Sequence, residues 1–300
     1  MKTIVGAGLA GLIAAHAWPR AQILEAAPEP VSAHKALLRF RSDAVARLVG
    51  IDFRKVRVNK GIWLEGEFIS PNIRAANLYA QKVLGAGHMR GERSIWNIAP
   101  VDRFIAPEAL HEQLLEATAD RVTWNHAANF ADLNKATVST APLPIVLRDL
   151  SIPCDEEFHR ASITVKRWRV KGADVFQTVY FPDQSTSLYR ASITGDLLIA
   201  EFAGNSPHGY TRMIERAFGI DLDDVEPLED VRQQYGKIEA IDDATRKQLL
   251  FRLTHEHGIY SLGRFATWRN ILLDEVVDDI SAIKRLARTG GNYELRKASQ

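Results

Sequence analysis

Cysteine is nearly absent. Cys154 stands alone in 300 residues, which excludes an intramolecular disulfide framework, provides no thiolate metal cluster and fits a reducing compartment such as the cytoplasm. An excess of one charge sign is lacking too: 38 Lys+Arg against 37 Asp+Glu leave a net charge of +1, so a polyanionic partner would have to be held by a local cluster. No apolar run reaches the roughly 20 residues of a membrane span. The stretch from Thr3 to Trp18 is interrupted by Gly6, Gly8 and Gly11 and reads neither as a span nor as a secretory signal. Internal repeats and low-complexity tracts do not stand out. What is present is ordinary globular composition, 46% hydrophobic and 25% charged, in a chain long enough for one large domain or two small ones. The expectation is a cytoplasmic protein without membrane contact.

The amino-terminal segment carries the sharpest signal. Thr3-Ile4-Val5 reads as a buried strand, Gly6-Ala7-Gly8-Leu9-Ala10-Gly11 as a tight turn, and Leu12 to Ala17 as a helix ended by Pro19. In this G-x-G-x-x-G context the first glycine permits the turn, the second lets backbone approach a pyrophosphate, and the third packs helix on strand. The helix start offers N–H groups and partial positive charge to phosphates. A second strand, Gln22 to Leu24, ends at Glu25, 19 residues after Gly6, where a carboxylate meets ribose hydroxyls and repels a 2′-phosphate. This predicts a dinucleotide site that disfavours NADP and leaves NAD and FAD open.

Further along, residues 34–60 form a cationic block: Lys35, Arg39, Arg41, Arg47, Arg54, Lys55, Arg57 and Lys60 against Asp43 and Asp52. It reads either as a solvated face or as a source of two or three side chains for an anionic site. A strand and hairpin are expected from Phe53 to Ile69. A helix follows from Ser70-Pro71, with Ile73, Ala76, Ala80, Val83 and Leu84 on one face and Gly85 at its end; another begins at Pro107 with Leu110, Leu114 and Ala117 inward. Ala136 to Thr140 reads as a strand stopped by Pro142 and Pro144. Four alternating segments, Ser162 to Val170, Val175 to Phe181, Thr186 to Ile193 and Leu197 to Phe202, suit an antiparallel sheet. Tyr210 to Phe218 reads as a helix closed by Gly219, and the six acids between Asp221 and Asp230 as a solvated loop. At the end come strand Gly258 to Leu262, a Gly263-Arg264-Phe265 turn, and a helix from about Asn270 to Arg288.

Four pieces in matching order resemble the FAD-dependent amine oxidase and UDP-galactopyranose mutase superfamily: Ile4 to Leu12 with Glu25; Val138-Ser139-Thr140-Ala141-Pro142-Leu143-Pro144; Tyr180-Phe181-Pro182-Asp183 with Tyr189-Arg190-Ala191-Ser192-Ile193; and Tyr260 to Trp268. The resemblance implies an α/β fold, with a Rossmann-like FAD-binding domain (1–33, 100–150, 244–300) and an inserted, mainly antiparallel β-sheet substrate domain (34–99, 151–243). It implies FAD held by Gly6, Ala7, Gly8, Leu9, Ala10, Gly11, Glu25, Ala26, Arg41 and Ala141. At the flavin end it implies Gly263, Arg264, Trp268 and a helix start near Asn270-Ile271. Tyr180, Tyr189 and Arg190 fall on the substrate side, where an arginine between tyrosines can hold a carboxylate or phosphate. One departure is plain: where the family places a paired-glycine motif with an arginine, this chain reads Ala26 to Lys35, leaving His34, Lys35, Arg39 and Arg41 as side-chain candidates for the phosphates.

No nucleophile and base constellation is legible, as expected where a cofactor carries the chemistry. Cys154 lies beside Asp155, Glu156 and Glu157, which disfavour a thiolate. His255 and His257, placed on one face of a strand, lack a third ligand, so no metal is expected. Three readings stand. The first is oxidation of a C–N bond in an amine or amino-acid-type substrate, followed by imine hydrolysis; it includes flavin-dependent phage enzymes of DNA modification that trim an amino-acid group from a modified thymine, with DNA held by the 34–60 block. The second is a mutase-like, non-redox reaction on a nucleotide sugar. The third is a flavin-bearing or nucleotide-bearing module without catalysis.

Overall fold

A computed structural model describes residues 1–30, 38–84, 95–133, 136–204 and 207–298; His34, Lys35 and Gly85 lie outside them. In chain order the strands and helices are β1 (Thr3–Val5), α1 (Leu9–Ala17), β2 (Gln22–Leu24), β3 (Arg39–Phe40), α2 (Ala44–Val49), β4 (Arg54–Leu64), β5 (Glu67–Ile69), α3 (Ile73–Leu84), β6 (Val101–Ile105), α4 (Leu110–Glu116), β7 (Val122–Thr123), β8 (Thr137–Ser139) and α5 (Leu143–Asp149). There follow β9 (Arg160–Arg169), β10 (Val175–Tyr180), β11 (Leu188–Gly195), β12 (Leu197–Ala203), α6 (Thr211–Phe218), β13 (Glu226–Ile238), α7 (Asp243–His257), β14 (Ile259–Ser261) and α8 (Leu273–Ala298).

Two sheets organise these elements. The first has order β14-β8-β1-β2-β7, with every pairing parallel. Its short, apolar strands are covered on both faces, as parallel sheets require. Leu12, Ile13, Val45, Leu110, Leu114, Val276 and Ile280 from α1, α2, α4 and α8 fill one side. Leu143, Val146 and Leu147 of α5 and Leu249 and Leu253 of α7 fill the other, with Trp268. The chain visits this sheet three times, so strands far apart in sequence end along a common carboxyl edge, where parallel α/β sheets bind ligands.

The second sheet runs β13-β9-β12-β11-β10-β4-β6-β3, with β5 on β4. All its pairings are antiparallel except that of β10 with β4. Period-two alternation gives it two unlike faces. One is apolar: Val179, Ala191, Leu198, Ala200 and Phe202 pack under Ile214 and Ala217 of α6. The other is polar. Lys60 lies opposite Thr178, and Thr178 opposite Ser192; in the next row Ile62, Tyr180, Arg190 and Glu201 succeed one another across four strands.

Several expectations need correction. Asp221–Asp230 is not wholly a loop: Glu226 onward belongs to β13, whose backbone groups are paired with β9. Lys166 bonds Asp230, and Lys171 pairs with Glu226, so part of the acid run is neutralised across the ladder. His255 and His257 lie on helix α7, not a strand; Asp242 caps that helix by accepting from the Thr245 N–H at 2.8 Å, and Gly258 closes it in the left-handed region. Ile73 is exposed although α3 forms, because Ala75, Ala76 and Tyr79 define the buried face; Ala117 is exposed for the same reason beyond α4. The last helix starts at Leu273 rather than Asn270. The Leu272 N–H donates to the Glu275 carboxylate at 2.8 Å, a helix-starting contact that fixes the boundary there.

Candidate functional site

The glycine turn separates two physical roles. A Cβ on Gly6 would come 2.2 Å from the Thr140 Oγ1, and its φ of +99° excludes side chains; a Cβ on Gly11 would sit 1.9 Å from the Gly6 carbonyl oxygen. The protein's own packing demands these two glycines. Gly8 differs: it is exposed, its backbone (φ −72°, ψ 173°) suits any residue, and a Cβ there would have nothing within 4 Å. The space beside Gly8 is open at the start of α1, where the first N–H groups lack intrahelical acceptors. It has the shape and polarity of a phosphate cradle.

Glu25 braces this turn. One carboxylate oxygen accepts from the Ala7 N–H at 2.6 Å and the other from the Ala27 N–H at 2.9 Å. The Thr140 hydroxyl donates to the Val5 carbonyl at 2.8 Å, tying β8 to the end of β1. Leu9 is buried, Ala10 partly so, and Ala26 is exposed next to Glu25. Ala141 is partly buried just past β8 and donates its N–H to the Ser139 hydroxyl at 3.3 Å.

The second turn reaches the first. Gly263 has φ +88°, and a Cβ on it would stand 3.0 Å from the Ala10 Cβ, so the two bends are in direct contact. The Gly263 carbonyl accepts from both the N–H (3.0 Å) and hydroxyl (2.7 Å) of Thr267. Arg264 donates to the Asn270 side-chain oxygen at 3.0 Å. Trp268 adopts φ +46° and is buried, its Nε1 donating to the Glu239 carbonyl at 2.8 Å and its ring edge-on to Phe158. The core therefore occupies the indole, and the strained backbone redirects the chain toward Asn270 and Ile271. Those two residues precede α8 as a turn, with the Ile271 N–H bonded to the Arg269 carbonyl.

The polar face of the second sheet gathers the substrate-side candidates. An irregularity in the β11–β12 register lies between Leu188 and Arg190, and such a bulge re-aims side chains. Both Tyr189 and Arg190 consequently reach Glu201: the phenol at 3.0 Å, the guanidinium through Nη2 at 2.6 Å and through Nε. Burial and the Glu201 carboxylate push the Tyr189 pKa well up, so it stays a neutral donor. Arg190 is partly exposed while Glu201 is buried, and both Nε and Nη2 of the guanidinium are fixed on that carboxylate. Tyr79 of α3 meets Tyr180 edge-on at 5.4 Å.

Sequence reasoning missed several partners. Arg39 is not a surface cation. It donates to the Thr178 and Thr194 hydroxyls at 2.6 and 2.7 Å and to the Gln177 and Ile193 carbonyls; burial and neighbouring Arg190 lower its pKa to about 10. Arg41 is exposed, and its N–H and that of Ser42 bond the Asp274 carboxylate at the start of α8. Lys82 donates to the Phe181, Asp183 and Leu188 carbonyls, pinning α3 to the β10–β11 connection. Within the basic block, Arg47 pairs with Asp43, Arg54 with Asp174, and Lys55 and Arg57 with Asp102. Only local pairs such as Arg47 with Asp43 had a sequence signal; the others depend on strand register.

Cys154 is a partly buried neighbour of the α5–α7 core. Among the described residues no three His, Cys, Asp or Glu side chains gather as a metal site, and no helix is long and apolar enough to cross a membrane.

No protein-family model and no curated protein sequence matches the chain. Solved structures do. Reduced UDP-galactopyranose mutase superposes with a TM-score of 0.62 at 16% identity, covering 96% of this chain and 93% of the other. A CLA-producing fatty acid isomerase from P. acnes gives 0.57 at 13% identity, covering 94% and 97%. Aklavinone-11 hydroxylase, solved with FAD and aklavinone, gives 0.51 at 11% identity, covering 95% and 61%. The chain shares the fold of these enzymes.

Proposed function

We propose that the chain is a flavoenzyme that binds FAD along the carboxyl edge of its parallel sheet and oxidises a C–N bond in an amine of amino-acid type. The observation that carries the cofactor half is the open flank of Gly8 between two bends that touch at Ala10 and Gly263. Glu25 would hold the ribose, and the first turn of α1 the pyrophosphate. Arg264 and the backbone around Asn270 would hold the flavin end. FAD, when bound, supplies the two-electron chemistry.

The protein's own part is to bind, orient and exclude water. Arg190, fixed by Glu201, presents a cation suited to a carboxylate, and Tyr180 with Tyr79 gives an aromatic wall. The same cations favour a second reading, a mutase-like reaction on a nucleotide sugar, because they also suit a diphosphate. An amino-acid-modified thymine in DNA remains the narrower substrate of the first reading, but it draws less support from the basic block, where Asp43, Asp102 and Asp174 pair with four of the cations and offset three of their charges. Anaerobic addition of substrate discriminates. The oxidase reading expects bleaching of the flavin band, and peroxide in air. Turnover only after chemical prereduction, without oxygen use, would favour the mutase, and an unreactive flavin would leave a binding module.

A further inference from the structure

Five cations crowd the polar face or its rim: Arg39, Arg41, Lys60, Arg103 and Arg190. Arg103 lies opposite Val56 on the same face as Lys60. Each acid close to them is already engaged. Glu201 is held by Arg190 and Tyr189, and Asp274 accepts from the Arg41 and Ser42 N–H groups. The Asp102 carboxylate belongs to the opposite face, with Lys55 and Arg57. Among the described residues, Lys60 has no carboxylate partner, and the Arg103 guanidinium donates to the Asp102 carbonyl at 2.8 Å. Burial and Arg103 lower the Lys60 pKa; burial and Arg41 lower that of Arg103.

Bringing like charges together in a half-buried setting is unfavourable unless an anion completes the set. With Arg41 left to the FAD phosphates, the other four cations against the two carboxylates of Glu201 and Asp274 leave a surplus of two. A carboxylate would offset one charge, whereas a phosphoryl dianion offsets two and offers three acceptor oxygens to an ammonium and a guanidinium fork. We propose that Lys60 and Arg103 form a subsite for a doubly charged phosphoryl group carried by the substrate. This deepens the proposed function, resting on it only in taking the polar face as the substrate wall.

The test titrates the protein, with whatever cofactor it carries, with inorganic phosphate, methyl phosphate, a phosphodiester dinucleotide and acetate at fixed ionic strength. Saturable binding of phosphate and methyl phosphate is expected, weakened at least tenfold in both Lys60→Met and Arg103→Met, with cofactor content unchanged. Charge-keeping Lys60→Arg and Arg103→Lys should retain most of the binding, which separates a charge effect from misfolding. The unliganded Met variants should be as heat-stable as the parent or more so, because repulsion is relieved. Phosphate binding that ignores both substitutions, or acetate or the singly charged diester binding as tightly as methyl phosphate, would overturn the subsite. Flavin present without phosphate binding sinks the subsite alone; phosphate binding through Lys60 and Arg103 in a protein without flavin sinks the cofactor reading alone.

Discussion

Replacing Gly8 by alanine separates what the fold needs from what the cofactor needs. Gly8 has an ordinary backbone conformation and an empty flank, so the added methyl meets no protein atom. Removing glycine from the unfolded ensemble would stabilise the ligand-free chain by about 0.4–1 kcal/mol, but Gly8 is the N-cap of α1, where alanine is worse than glycine by a similar amount, so the net change should stay within about 1 kcal/mol. For a chain of this size that keeps Tm within roughly 3 °C of the parent. A pyrophosphate lying over Gly8 would meet the same methyl. Overpacking of this kind costs about 1–3 kcal/mol, or roughly 5- to 150-fold in Kd. The assay pairs thermal unfolding of the stripped protein with fluorescence titration by FAD. Gly11→Ala is the internal contrast: its methyl would lie 1.9 Å from a backbone oxygen, so it should impair folding itself. If Gly8→Ala binds FAD as tightly as the parent, or if the stripped variant is clearly less stable, the division of roles among these glycines is wrong.

Other perturbations test the remaining supports. Glu25→Gln keeps the size but leaves one of the Ala7 and Ala27 N–H groups facing an amide donor; a loss of about 1–3 kcal/mol in denaturant titration is expected, together with weaker FAD binding. Glu201→Gln removes the charge that mounts Arg190. Because that arginine is 41% exposed, the loss should be about 1–3 kcal/mol, below the range for a fully buried pair, and an unchanged KM for the anionic substrate would contradict the mount. Burial lowers the Lys82 pKa to about 8, below its unfolded value, so the unfolded chain binds more protons between about pH 8 and 10.5 and stability rises with pH there. The stability difference between the parent and Lys82→Met should therefore grow more favourable to the parent from pH 8 toward 10; a flat or falling difference would refute that shift.

The local parts of this molecule were legible and the long-range ones were not. β1, the turn and β2 follow from glycine spacing and apolar strands because their reasons lie within 25 residues. α6 could be read from its stripe and Gly219. α7 escaped because only Leu249 and Leu253 are buried along it, too thin a stripe to notice, although Asp242 and Gly258 mark its ends. β13 escaped because its backbone pairs with β9, roughly 60 to 80 residues earlier, and Asp230 meets Lys166 of that strand. The helix start at Leu273 depended on one Glu275 contact. At the site, the Tyr189 and Arg190 candidates could be named but not their mount, since Glu201 reaches them only through a strand irregularity. Arg39 looked like one surface charge among eight, and only the sheet topology buries it between Thr178 and Thr194.

In the proposed flavoenzyme, two touching bends hold one FAD. The most direct measurement of this is the absorption spectrum of the purified protein, followed by denaturation and chromatographic identification and counting of the released cofactor. A flavin spectrum and one FAD per chain are expected, with less FAD retained by Gly8→Ala. Release of NAD, or no flavin retained after reconstitution with FAD, would contradict it.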